Sequence, residues 1–203
     1  MKQLQFSSNH AKEAFLLLET IVIKKMKTGL QWLDENKDKF NLCLIGGGAL
    51  QYYITETREQ SPDIDFVVDS FSSVKEIIKN DNLKSSIVNP GKGPIGITII
   101  DMEIDLLDIK YQPFFKNIFS NYLYNEITIF GFQCKIIIPE LLFLNKYHVA
   151  REKDDEDMFL LLKEPGTLDK QKVLDLTQEF VKQKIFTVGE YATIKSYLDY
   201  YLS

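Results

Sequence analysis

The sequence predicts an α/β chain of the α+β kind, a mixed and mainly antiparallel sheet with an N-terminal helix and a C-terminal helical subdomain. Three observations carry that expectation. Short β-rich runs interleave with helical stretches as far as residue 138, the four later runs read as two antiparallel hairpins, and from Pro139 onward every segment has helical periodicity. The expected division is an α/β domain over 1–138 and a helical subdomain over 139–203. A chain of 203 residues suits one domain, or one domain with a small companion, and is long enough to bury a core.

Residues 11–40 read as helix because Ala14, Leu17, Leu18, Ile21, Val22, Met26, Leu30 and Leu33 recur at helical spacing, with Gly29 as a possible division. The apolar run 41–45 closes on Gly46-Gly47-Gly48, a strand ending in a tight turn, and a short helix is expected over 49–57. Ile64, Phe66, Val67 and Val68 mark the next strand, and Ser72 to Lys79 a helix with Ser72 as cap. Pro90-Gly91-Lys92-Gly93-Pro94 is a loop, followed by β-rich runs over 95–100 and 102–109. A hairpin over 122–130 and 132–138 turns at Gly131. Helices are expected over 139–151, 154–163, 168–183 and 188–202, the first opened by Pro139.

Charge and cysteine usage exclude several classes. The net charge of -5 argues against a chain held to nucleic acid by bulk positive charge, though it leaves room for a local basic groove. Cys43 and Cys134 each lie inside an apolar run and read as buried, reduced thiols. His10 and His148 have no cysteine near them, so no zinc site is visible. No stretch approaches the ~20 apolar residues of a membrane span. The N-terminus lacks the apolar core of a signal peptide, and the expected location is the cytoplasm.

Three segments can carry chemistry. Gly46, Gly47 and Gly48, between a strand and a helix, stand where phosphate meets backbone N–H groups; a tight structural turn explains them equally well. The dinucleotide fingerprint fails, because its third glycine position is Gln51. Asp63 and Asp65 sit two apart on a strand, so their carboxylates share a face and repel unless a cation lies between them. Mg²⁺ uses one or two such carboxylates together with substrate phosphates. Asp105 lies in an apolar strand with Glu103 on its face and Asp108 on the other; an edge strand with an acidic outer face is the simpler reading. If that strand pairs beside the first, three carboxylates converge as a two-metal phosphoryl-transfer site needs, one of them placed to act as general base.

In this order the segments resemble the nucleotidyltransferases of the DNA polymerase β superfamily, above all the bacterial AbiEii toxin type and small stand-alone relatives. That pattern is Gly-Gly-x-Ala, then Arg-x-Ser/Thr-x-Asp-hydrophobic-Asp. Gly46-Gly47-Gly48-Ala49 and Ser61-Pro62-Asp63-Ile64-Asp65 match it, with Arg58 one residue further from Asp63 than the pattern has it. The relatives then carry a Lys on the first helix after the sheet and an Arg-x-Lys-Asp-x-x-Asp-Leu stretch. Lys146 and Arg151-Glu152-Lys153-Asp154-Asp155-Glu156-Asp157-Met158 are similar to it, although 151–157 alone reads as a solvated turn. Of the 24 Lys and Arg residues only Arg58 and Arg151 are arginines, the better bidentate phosphate partner, and both fall in matching segments.

The resemblance implies a transferase moving an NMP from an NTP to a hydroxyl acceptor with two Mg²⁺. By that likeness Asp63, Asp65 and Asp105 hold the metals, Asp105 takes the acceptor's proton, and Gly46, Gly47, Gly48, Arg58, Ser61, Lys146 and Arg151 bind the nucleotide. The acceptor is an RNA end, a protein side chain or a small molecule. A toxin-like role with an antitoxin-like partner is within its scope. The alternative is an inactive member acting as a binding or regulatory protein.

Overall fold

The computed structural model describes residues 28–56, 64–88, 96–100, 102–129 and 131–202. Residues 11–27 of the helix expected over 11–40, His10, Arg58, Ser61, Asp63 and the loop 90–94 lie outside the described residues. Residues 28–35 are helical (α1). The chain then runs β1 Leu42–Leu44, α2 Gly46–Tyr53, β2 Ile64–Val68, α3 Phe71–Asn80, β3 Ser85–Val88, β4 Gly96–Ile99 and β5 Ile104–Asp108. It continues through a 3₁₀ turn Ile109–Tyr111 into β6 Tyr124–Ile129 and β7 Phe132–Ile137. Four helices follow: α4 Pro139–Val149, α5 Glu152–Lys163, α6 Lys170–Lys182 and α7 Val188–Tyr201.

The strands form one sheet in the order β3-β4-β5-β2-β1-β7-β6. Antiparallel pairings join β1 to β2, β3 to β4, β4 to β5 and β6 to β7, and parallel ones join β1 to β7 and β2 to β5. The sheet is mixed and mainly antiparallel, as the two hairpins require. Phe66, Val67 and Val68 of the central strand are all fully buried, so both sheet faces are covered there. Gly29 lets α1 close on β5: a Cβ at that position would run into the Ile104 side chain, with Ile104 Cγ1 at 3.1 Å.

Three local expectations are corrected. The helix expected from residue 49 starts at Gly46, directly on the end of β1. Ser70, not Ser72, is the residue before α3. A strand, β3, occupies Ser85–Val88 where the pattern gave none; Ser85, Ser86 and Ile87 are all exposed, so burial left no alternation to read. Both cysteines are free, and burial pushes the Cys134 thiol up to about 11 and the Cys43 thiol higher still, which makes them poor nucleophiles.

Candidate functional site

The site grows from the way β1 ends. Ile45 remains extended and its N–H donates to the Asp65 carbonyl at 2.9 Å, so the chain is still paired to β2 where it turns. At Gly46 the backbone enters the left-handed region, φ +65, and α2 begins at once. That conformation favours glycine, and space demands it as well. A Cβ on Gly46 would collide with the Asp65 carboxylate, whose Cγ would lie 2.9 Å away. The residue before α2 offers no side-chain acceptor, and no acidic residue occupies its first turn. The N–H groups of Gly46, Gly47 and Gly48 are the ones that helix geometry leaves without an intrahelical acceptor. They open beside Asp65, as an anion site at a helix start would.

Gly46→Ala should therefore push Asp65 out of place and strain the turn, at about 1–2 kcal/mol. Chemical denaturation measures that loss; a variant as stable as wild type would show that the turn accepts a side chain.

Parallel pairing of β2 with β5 sets Asp65 directly opposite Asp105. Neighbouring strands run ≈ 4.8 Å apart and partners share a face, so two half-buried carboxylates stand side by side. Asp108 is the partner of Val68, three residues on and on the other face. It is buried and accepts the Lys110 N–H at 2.9 Å, capping the 3₁₀ turn. Glu103 precedes β5 in a left-handed turn, φ +52, and takes no place on the strand. Among the described residues no group of three metal-ligating side chains assembles.

Lys146 and Arg151 meet through two carboxylates. Lys146, on the last turn of α4, is 3 % exposed, and its Nζ lies 2.9 Å from Asp154 Oδ1 and 2.6 Å from Asp157 Oδ2. Both aspartates are fully buried and sit three apart on one face of α5. Ala150, in the left-handed conformation at φ +52, makes the sharp turn from α4 to α5. Arg151 follows it, with its side chain 56 % exposed. Its Nε and Nη2 donate to Asp154 at 2.6 and 3.0 Å, and its backbone N–H donates to the same carboxylate at 3.2 Å. Burial pushes the Asp154 carboxyl up, but the hydrogen bonds from Arg151 and Lys146 outweigh it and hold the group down at about 2. The Arg151 guanidinium is raised, first by its hydrogen bond to Asp154 and further by the charges of Asp154, Asp65 and Asp157, against the opposing effect of burial. The helix that Arg151 opens, α5, packs against α2, whose first residue lies against Asp65.

No protein-family model and no curated protein sequence matches this chain. Solved structures do. An antigenic nucleotidyltransferase-like protein from Paracoccidioides brasiliensis is similar at a TM-score of 0.50 and 13% identity, over 85% of this chain and 93% of its own. The antibiotic-resistance factor ANT(2'')-Ia is similar at 0.53 and 15%, over 83% of this chain and 94% of its own. A crystal structure of ANT(2'')-Ia in complex with adenylyl-2''-tobramycin gives 0.51 and 16%, over 84% and 99%. The chain has the nucleotidyltransferase fold.

Within the nucleotidyltransferase fold, the sequence-predicted residues separate into groups. Gly46, Asp65 and Asp105 come together across the neighbouring β1, β2 and β5, and Arg151 opens α5, which packs against the glycine-initiated α2. Gly47 and Gly48 continue the first turn of α2, Gly48 lying toward Leu44 and Ile64. Lys146 is packed beneath Arg151 between Asp154 and Asp157. Those two aspartates fall on the Asp positions of the Arg-x-Lys-Asp-x-x-Asp-Leu likeness, which gave them no role in the site. Their i,i+3 spacing falls on a helix that starts six residues after Lys146. No helix of the described residues is long and apolar enough to cross a membrane.

Proposed function

We propose that this chain is a metal-dependent nucleotidyltransferase that moves an NMP from an NTP to a hydroxyl acceptor. The carrying observation is the register pairing of Asp65 with Asp105 beside the glycine start of α2. The two carboxylates fit Mg²⁺, a hard cation that binds through one or two carboxylates plus substrate phosphates. When bound, it neutralises charge on the phosphates and the leaving group. Asp63, two residues from Asp65 in sequence, is the third proposed ligand.

The chain's own groups do the rest. The first N–H groups of α2 receive phosphate oxygens, and the half-exposed Arg151 guanidinium supplies positive charge beside them. Asp105 accepts the proton of the acceptor hydroxyl. The freed oxygen bonds to the α-phosphorus, the bond to the β-phosphate oxygen breaks, and pyrophosphate leaves with the electron pair. Arg58 and Ser61 are proposed nucleotide contacts on the strength of the motif. A small-molecule hydroxyl is the acceptor class favoured here, because one solved neighbour carries an adenylylated aminoglycoside.

Titration calorimetry with ATP, GTP, CTP and UTP, in Mg²⁺ and in EDTA, tests the reading. Binding of at least one NTP that weakens sharply in EDTA is expected. Absence of NTP binding in Mg²⁺ would refute it.

A further inference from the structure

We infer that Asp154 is a positioning residue that aims Arg151 at the nucleotide, and that Lys146 and Asp157 hold Asp154 in place. The inference rests on the nucleotidyltransferase reading and adds a role for two aspartates outside its motif of metal ligands. Three donors of Arg151 converge on Asp154: the backbone N–H, Nε and Nη2. Gripping Nε and Nη2 uses one side of the guanidinium fork and leaves the Nη1–Nη2 end for a second, phosphate-like partner. Asp154 cannot swing away from this task. It is fully buried, and Lys146 Nζ ties its Oδ1 to Asp157 at 2.9 and 2.6 Å.

Free arginines lose rotamer freedom when they bind, which weakens them as phosphate ligands. A guanidinium already bound along its Nε side has surrendered that freedom before the nucleotide arrives. Stability alone gives poor grounds for such an arrangement. Buried ion groups can often be replaced by apolar side chains with no loss, because desolvation consumes most of the Coulomb gain. A tie that served only to join α4 to α5 would also have no need of an arginine that stays 56 % exposed. The left-handed turn at Ala150 places Arg151 at the joint, one residue before α5, a helix that packs against α2 where α2 starts beside Asp65.

A double-mutant cycle on the full chain tests this, reading Mg·NTP affinity by calorimetry with whichever NTP the wild type binds. Arg151→Ala should weaken binding by about tenfold to a hundredfold, the loss of one charge-assisted contact. Asp154→Asn should weaken it by about tenfold. The double variant should be no weaker than Arg151→Ala within about twofold, because Asp154 acts only through the arginine. Arg151→Lys in the Asp154 background, which leaves the buried aspartates untouched, should bind nearly as poorly as Arg151→Ala, since an ammonium cannot be gripped along one side and still present a fork. Losses that multiply in the double variant, or a Lys variant with wild-type affinity, overturn the positioning role while leaving the nucleotide site intact. A wild type that binds no NTP overturns the site reading and this inference with it.

Discussion

Asp65→Asn should abolish nucleotidyl transfer, by at least about a hundredfold, and leave the protein at least as heat-stable as wild type in EDTA. An effect of that size exceeds the 10–100-fold cost of losing an outer-shell partner, as expected for a group that touches the metal itself. The stability half follows from geometry. Asp65 stands opposite Asp105 on adjacent parallel strands, and like charges at that separation destabilise one another when no cation lies between them. Asn keeps the shape and removes one of the two charges. Loss of function without loss of stability is the behaviour of an active-site group. A structural carboxylate would behave otherwise, with about 1–3 kcal/mol lost when its hydrogen bonds are truncated. Melting curves in EDTA beside a transfer assay separate the two. A variant melting several degrees below wild type in EDTA would make Asp65 structural.

Lys146→Met should cost about 3–5 kcal/mol, the penalty for removing one member of a buried ion group and leaving the others. Methionine fills similar space, so the loss is electrostatic: Asp154 and Asp157, both fully buried, would face each other without the ammonium at 2.9 and 2.6 Å. Adding Asp157→Leu to that variant should restore most of the loss, because an apolar pair replaces an ionic one at little cost. Urea denaturation of the two variants measures both numbers. A Lys146→Met protein as stable as wild type would show that these charges are solvated rather than packed.

Much of this architecture was legible because its signals are local. Pro139 opens α4, Gly131 with φ +90 turns the last hairpin, and apolar periodicity marks α6 and α7. The strands β1, β2, β4, β5, β6 and β7 each fall in a run whose residues read as β-rich. β3 had none. Its Ser-Ser-Ile-Val, exposed over the first three residues, is a strand because β4 offers a free edge, and an edge belongs to the fold rather than to the local pattern. The start of α2 was misplaced by three residues for a related reason. Three glycines have poor helix propensity, yet the pairing of Ile45 with Asp65 fixes the turn, and the helix begins there regardless.

The candidate site was legible in composition and not in assembly. The i,i+2 spacing of Asp63 and Asp65 and the lone carboxylate at Asp105 were visible, but only the pairing of β2 with β5 brings Asp65 beside Asp105. The stretch 151–157 shows why the remainder was hidden. Its charges read equally well as a solvated turn, and the tertiary contact with Lys146 buries two of them and leaves Arg151 at the surface. Charge density in a sequence does not say which charges water reaches.

The most direct test of the central claim follows α-³²P-labelled NTPs, one base at a time, with the wild type, Mg²⁺ and a set of hydroxyl acceptors comprising aminoglycosides, cellular RNA and cellular protein. Label is expected to move from one NTP to an acceptor with release of pyrophosphate, and EDTA or Asp105→Asn should abolish the transfer. Bound NTP with no label on any acceptor, or transfer that Asp105→Asn leaves unchanged, would contradict that claim.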